Sequence, residues 1–292
     1  MRRLALAYNP VSGNATFKNR LDEMVEAFQR RGILLYLYRT KKDGNGELVD
    51  FLREARAEGV LAAGGDGTLH EVVNLVVKEG LDIPVGIIGS GTSNDFATYL
   101  NINENMEAYF DCIAEGRTRS VDLGRVGEEY FINVASAGMM TSIAHEVNVK
   151  WKNALGRMAY YLKGIGEIPK LRTIRLHVEV DDATHELDAF LFVVINSSVV
   201  GSMKHVADDV EADDGKLDFL AIRKQNAAQL VKLTADLIAG KSVSRQNAVL
   251  HLQSKNFLIS ASEDVTSDLD GEIGPPLPLR IETVPKAVRI YA

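Results

Sequence analysis

The run Gly59-Val60-Leu61-Ala62-Ala63, then Gly64-Gly65-Asp66-Gly67-Thr68, then Leu69-His70-Glu71-Val72-Val73-Asn74-Leu75-Val76-Val77-Lys78, holds a complete strand, loop and helix. The short apolar run next to glycines reads as a buried strand, and the longer amphipathic stretch from Thr68 to Lys78 reads as a helix. The same rhythm extends both ways. Upstream, Leu4 to Tyr8 and Leu34 to Tyr38 read as strands, with Lys18 to Arg31 and Gly46 to Glu58 as helices. Downstream, Pro84 to Ile88 reads as a strand and Met106 to Ala114 as a helix. This βα alternation predicts an N-terminal three-layer α/β domain, with a parallel sheet covered on both faces and ligands at the carboxyl ends of its strands.

Beyond Asp122 the pattern turns β-rich. Strands are expected at Tyr130 to Val134, Thr173 to Val180, Leu187 to Ile195, Leu217 to Ile222, Phe257 to Ser260 and Val288 to Tyr291, with helices near Ala154 to Gly166 and Ala227 to Ala239. Mostly antiparallel strands predict a C-terminal β-sandwich domain. The boundary is placed at the glycines around 122–128, giving domains 1–124 and 125–292, with no low-complexity linker or repeat.

With 46% hydrophobic and 25% charged residues, the chain has ordinary globular composition and length for two cores. A net charge of −7 argues against general affinity for nucleic acid or for anionic headgroups. The single cysteine, Cys112, permits no internal disulfide, suits a reducing compartment and reads as a small buried core residue. The N-terminal Arg2-Arg3-Leu4-Ala5-Leu6-Ala7 is cut short by Asn9-Pro10, so a first strand is expected rather than an export signal. Leu187 to Val200, interrupted by Asp188 and Asn196, is too short and polar to span a membrane. The six histidines show no zinc spacing.

Three polar, glycine-rich segments each follow a predicted strand: Asn9-Pro10-Val11-Ser12-Gly13, Gly64-Gly65-Asp66-Gly67-Thr68 and Gly89-Ser90-Gly91-Thr92-Ser93-Asn94-Asp95. Glycine lets the backbone approach phosphate oxygens, and a strand–loop–helix junction turns N–H donors toward an anion. Any one of these loops alone is an ordinary capped turn. In series at strand ends, they point to phosphate binding. Asp66 would repel a pyrophosphate unless Mg²⁺ intervenes or it orients the reacting groups. Asn94 stands where a dinucleotide fingerprint needs its third glycine, and there is no Walker lysine, so a kinase outside the common phosphate-loop class is expected.

Together with Asp122-Leu123-Gly124, Asp213-Asp214-Gly215 and Leu269-Asp270-Gly271-Glu272, these segments make the chain resemble the bacterial diacylglycerol kinase-like lipid kinases over nearly its whole length. The Gly91 to Ala97 segment favours the lipid branch over NAD kinases and phosphofructokinases, which have a similar glycine–aspartate loop. The resemblance implies nucleotide contacts from Asn9, Pro10, Val11, Ser12, Gly13, Thr40, Gly65, Asp66, Gly67, Thr68, Leu69, His70, Glu71 and Thr92. It further implies a structural Mg²⁺ on the Asp214 side chain and the Glu211 and Lys216 carbonyls, an acceptor entering between the domains, and Glu272 as general base supported by Asp270. The chain departs from the family pattern at Gly89, His70 and Thr98, and its segment Asn196 to Gly201 is thin in glycine.

Read alone, Asp213-Asp214-Gly215-Lys216 is a surface turn. Trp151, among Lys150, Lys152, Arg157, Lys163, Lys170 and Arg172, could rest on a membrane surface or on a solvated helix. The leading expectation is an ATP- and Mg²⁺-dependent lipid kinase, with diacylglycerol as first acceptor, cytoplasmic and peripheral at the inner membrane face. The alternatives are a kinase of a soluble acceptor such as NAD and an inactive nucleotide-binding regulator. The partners expected are a lipid and, as an allowed assembly, a second copy in a homodimer, with no nucleic acid.

Overall fold

A computed structural model describes residues 1–12, 17–42, 44–89, 94–138 and 173–292. The chain divides into two compact units, Met1–Val121 with Lys286–Ala292, and Asp122–Pro285. The expected division at 124/125 therefore shifts by three residues, and 286–292 belongs to the first unit rather than the second. The physical reason lies in the strand Leu279–Tyr291, whose end runs parallel to Val85–Gly89, with Ile290 opposite Val85.

In the first unit, strands β1 (Arg2–Tyr8), β2 (Ile33–Arg39), β3 (Val60–Gly64) and β4 (Val85–Gly89) form a parallel sheet in the order β2-β1-β3-β4. The register sets Tyr8 beside both Arg39 and Ala63, and Gly64 beside Gly89. All four strands thus stop at one level, and the chain leaves each of them at the same edge. β3 is buried throughout, as its apolar sequence requires.

Helices cover the sheet. In α1 (Leu21–Arg30), Met24, Ala27 and Phe28 are buried, the i, i+3, i+4 stripe of a one-faced helix. The element begins as a 3-10 turn, Phe17–Arg20, where one continuous helix was expected. α2 (Glu47–Glu54) is a shorter helix than expected, and α3 (Asp66–Lys78) starts two residues earlier. α4 (Asp95–Tyr99) is a short helix after the β4 loop. α5 (Met106–Glu115) is opened by the Asn105 side chain, which accepts the Ala108 N–H, and closed by Gly116 at φ 75°. Its Cys112 is buried. Where β4 lacks a strand partner, the Ile87 N–H donates to the Tyr109 hydroxyl at 2.8 Å, and burial pushes that phenol far above its usual range.

The second unit is a β-sandwich built on β9 (Ala183–Ile195). The first half of β9 pairs with β8 (Ile174–Val180), which continues to β12 (Asn256–Ala261) and β15 (Leu279–Tyr291). Its second half pairs with β7 (Val134–Gly138) on one side and β10 (Leu217–Arg223) on the other. β7 continues to β13 (Thr266–Leu269) and β14 (Glu272–Pro276), and β10 to β11 (Val249–Ser254). β5 (Thr118–Val126) pairs with β15 and with β6 (Glu129–Phe131). The expected single strand Tyr130 to Val134 is thus two strands, broken at Ile132 and Asn133. Phe192, Phe219 and Phe257 stack at 5.6 and 6.1 Å in the core. α6 (Ala227–Ile238) opens with a capping box between Asn226 and Gln229.

Among the described residues no helix is long and apolar enough to cross a membrane. The expected helix Ala154 to Gly166 and the Trp151 cluster lie outside the described residues.

Candidate active site

Parallel strands that end level deliver their loops to one place, and here side chains tie those loops together. Asn9, the first residue after β1, donates its N–H to the Ala63 carbonyl at 2.8 Å. Its Oδ1 accepts the Val11 N–H at 3.0 Å and its Nδ2 reaches Thr68 Oγ1 at 3.4 Å. Gly64 has to be glycine, because a Cβ there would lie 2.2 Å from Thr68 Oγ1. Asp66 Oδ1 accepts the Asp95 N–H at 2.9 Å, joining the β3 loop to the start of α4. Gly65 caps α3 with extended backbone and no side-chain cap bond, so no capping side chain occupies the positive end of the helix.

Along α3, Glu71 accepts from Asn45 Nδ2 with both oxygens, each at 2.8 Å. Asn45 is buried and also takes the Lys41 N–H at 2.8 Å and reaches the Lys41 carbonyl at 3.0 Å, which closes the β2 loop on itself. Thr40 hydrogen-bonds to the Tyr8 carbonyl through its N–H at 3.0 Å and its hydroxyl at 3.3 Å.

In the second unit the aspartate loop precedes β10. Asp122, fully buried, accepts the Gly215 N–H at 2.6 Å and donates its own N–H to the Ala212 carbonyl at 2.7 Å. Asp214 accepts the Lys216 N–H at 2.9 Å and the Gln253 amide at 3.4 Å. Burial first, and then the neighbouring Asp218 and Asp122 charges, push the Asp214 carboxyl above its ordinary value, against the pull of the Lys216 N–H. Such a carboxylate suits a cation, because a positive charge would relieve both causes. Oxygen donors from Asp214 and from the Glu211 and Lys216 carbonyls are the ligand type of Mg²⁺. Among the described residues no group of three or more acidic, histidine or cysteine side chains forms that could hold a metal, so the fit rests on one carboxylate with backbone oxygens.

Leu269 pairs with Glu272, so Asp270-Gly271 is a two-residue hairpin loop, with φ of 53° and 96°. Both residues sit in the left-handed region, which is why aspartate and glycine are favoured there. The Asp270 carboxylate is buried and accepts three main-chain N–H groups: Ile132 at 2.8 Å, Asn133 at 2.9 Å and Val134 at 2.9 Å. Glu272, two residues on, is exposed. Asp270 therefore anchors the turn, and the Glu272 carboxylate stands exposed beside it.

Of the nucleotide residues expected from sequence, Asn9, Thr40, Gly65, Asp66, Gly67, Thr68 and Glu71 stand at or beside the joined loops. Val11 is 74% exposed and Pro10 and Ser12 are half-buried, whereas the Leu69 side chain is buried and offers only its backbone to a ligand. His70 is held by Asn74, whose amide donates to the His70 carbonyl at 3.0 Å. Gly13 and Thr92 lie outside the described residues. Sequence reasoning missed Asn45, Asn133, Asn196 and Ser197 as site residues, because only their contacts, across the fold, mark them.

Level, glycine-rich strand-end loops beside a helix N-terminus and, in the second unit, an exposed glutamate on a pinned turn are the kinds of group that phosphoryl transfer to a hydroxyl uses. The pattern described as diacylglycerol kinase catalytic domain matches residues 3–126, and the YegS C-terminal NAD kinase beta sandwich-like domain matches residues 133–292. A diacylglycerol kinase of Bacillus subtilis is 32% identical over 285 residues, covering 95% of this chain and 92% of that protein. One of Staphylococcus epidermidis is 30% identical over 291 residues, covering 99% and 92%. The crystal structure of a diacylglycerol kinase from Bacillus anthracis shares the fold, with a TM-score of 0.80 at 23% identity over 99% of this chain and 96% of that one. The chain belongs to the bacterial diacylglycerol kinase-like family of lipid kinases.

Proposed function

We propose that this kinase transfers the γ-phosphoryl group of ATP to the hydroxyl of diacylglycerol. The observation that carries this reading is the exposed Glu272 on a turn locked by Asp270, in a chain whose relatives carry that activity in their names. The α3 N-terminus and the loops around Asn9, Gly65 and Thr68 hold the phosphates, and Asp66 orients the reacting end. Thr40 and Glu71 contact the rest of the nucleotide. Glu272 accepts the proton of the acceptor hydroxyl as its oxygen attacks the γ-phosphorus, and the leaving diphosphate departs on the far side. Asp214, with the Glu211 and Lys216 carbonyls, would hold Mg²⁺, which would supply positive charge to the aspartate loop. The protein meets its lipid as a peripheral, cytoplasmic enzyme at the inner membrane face.

The test is a radiolabelled-ATP assay against lipids in mixed micelles. Diacylglycerol is expected to be the best acceptor, and Glu272→Gln to lower kcat by about 10²- to 10⁴-fold, the usual contribution of a general base, with Mg-ATP binding nearly intact. Wild-type turnover in that variant, with chemistry rate-limiting, would remove Glu272 from the role.

A further inference from the structure

The Glu272 turn and the aspartate loop stand at the same end of one sheet, whose strands run β14-β13-β7-β9-β10. Only β7 and β9 separate the two, about 15 Å at a strand spacing of about 4.8 Å. At that end β7 begins just after Asn133, and β9 finishes just before Asn196 and Ser197. All three side chains are buried.

We propose that Asn133, seated by Ser197 and Asn196, is a positioning residue for Glu272. The Asp270 carboxylate is placed no better than the three N–H groups it holds, and these belong to residues 132–134, where the strand is broken. Side chains fix that break. Asn133 donates from Nδ2 to the Val199 carbonyl at 3.0 Å, and its Oδ1 accepts the Ser197 hydroxyl at 2.5 Å. The Asn133 carbonyl accepts the Asn196 N–H at 2.9 Å. Asn196 Nδ2 bridges two carbonyls, Ile132 at 2.9 Å and Asp122 at 2.8 Å, so one amide touches both the segment that anchors the turn and the residue that holds the aspartate loop.

The bridging has a cost. Asn196 is 1% exposed, and its Oδ1 is buried with no hydrogen-bond partner among the described residues. A buried acceptor left unmet costs free energy, and the same amide offsets that cost by satisfying two buried carbonyls, so that it holds Ile132 and Asp122 at one fixed spacing. The turn transmits that geometry. Asp270-Gly271 has only two residues, with Leu269 and Glu272 paired across it, so a shift of residues 132–134 moves Asp270 and the start of β14 together. A base displaced by about 1 Å can cost about 10²-fold in rate.

This inference rests on Glu272 as the base, and a double-mutant cycle separates the two. Asn133→Ala, Glu272→Gln and the double variant are assayed as full chains with ATP and diacylglycerol micelles, with Ile259→Val, a core change elsewhere in the sandwich, as a stability control. Asn133→Ala is expected to lower kcat about 10- to 100-fold with the nucleotide KM within about twofold, because misplacement costs rate rather than nucleotide binding. The double variant is expected within about twofold of Glu272→Gln alone, since a residue acting through Glu272 loses nothing once the base is gone. Additive losses, or an equal kcat fall in Ile259→Val at matched Tm, overturn the positioning role and leave the base reading standing. Wild-type kcat in Glu272→Gln overturns both. Should Asn133→Ala not fold, Ser197→Ala removes only the hydroxyl that seats Asn133 Oδ1, and a kcat unchanged in that variant also overturns the proposal.

Discussion

In the first unit the polar loops hang from the ends of parallel strands and are tied by part-buried bonds, Asn9 to Thr68 and Asp66 to the Asp95 N–H. In the second, Asp122, Asn133, Asn196 and Asp270 form bonds that are mostly buried, and each ties together segments distant in sequence. The first arrangement leaves donors for a ligand that brings its own charge. The second spends its donors within the protein, so that one exposed carboxylate, Glu272, stands on a fixed base.

The contrast is tested most severely at Asp270. Asp270→Ala strands three N–H groups, each worth about 1–3 kcal/mol when left unmet, so Tm is expected to fall by roughly 10 °C or more and activity to collapse. Asp66→Asn loses one charged acceptor for a single N–H and is expected to cost about 1 kcal/mol, raising the nucleotide KM instead. Calorimetry on the two variants checks this, and equal destabilisation would abolish the distinction between the units.

A finer comparison concerns the two asparagines that hold other residues. Asn45→Ala frees Glu71 from its two bonds and is expected to raise the nucleotide KM about tenfold with little change in kcat, because hydrogen bonds to charged groups contribute about 1.5–3 kcal/mol. That is the reverse of the pattern expected for Asn133. Steady-state kinetics in which both variants lower kcat alike would erase the difference.

The smallest effect is expected at Asp214. Its folded pKa is raised, so the folded chain binds more protons than the unfolded one between the ordinary and the raised value, and stability falls as pH rises through that window. Above it the whole penalty is present. Asp214→Asn is therefore expected to raise Tm slightly at neutral pH without divalent cation, by about 1–3 °C, and to lose any gain on adding Mg²⁺. A wild-type Tm that is flat from acid to neutral pH and a variant that still responds to Mg²⁺ would contradict this.

The same contrast explains what was legible in the sequence. Contiguous strand–loop–helix segments state their structure locally, and β3, expected at Gly59 to Ala63, is found at Val60–Gly64. Among the strands missed or cut short, polar residues and a break in the apolar pattern hid two. Thr266-Ser267-Asp268-Leu269 pairs on both sides although three of its four residues are polar, and Leu279–Tyr291, expected only from Val288 on, runs through Pro285 and Lys286, the latter at φ 51°. Asp214, Asp270 and Glu272 were legible only through the family resemblance, since alone each reads as a turn. Asn133 and Asn196 were not legible at all, because their partners lie 66 and 74 residues away and no spacing rule reaches that far.

The strand Leu279–Tyr291 gives its first half to the second unit and its end to the first. During synthesis the N-terminal sheet therefore waits, with the flank of Val85 bare and Tyr291 missing from beneath Gly59 and Gly86, until all of 122–285 has been made. The first unit is completed by residues translated after the unit that carries Glu272. A ribosome that stalls within the sandwich leaves a first unit without its closing strand, so a chain with a complete first unit is one in which Glu272 has already been made.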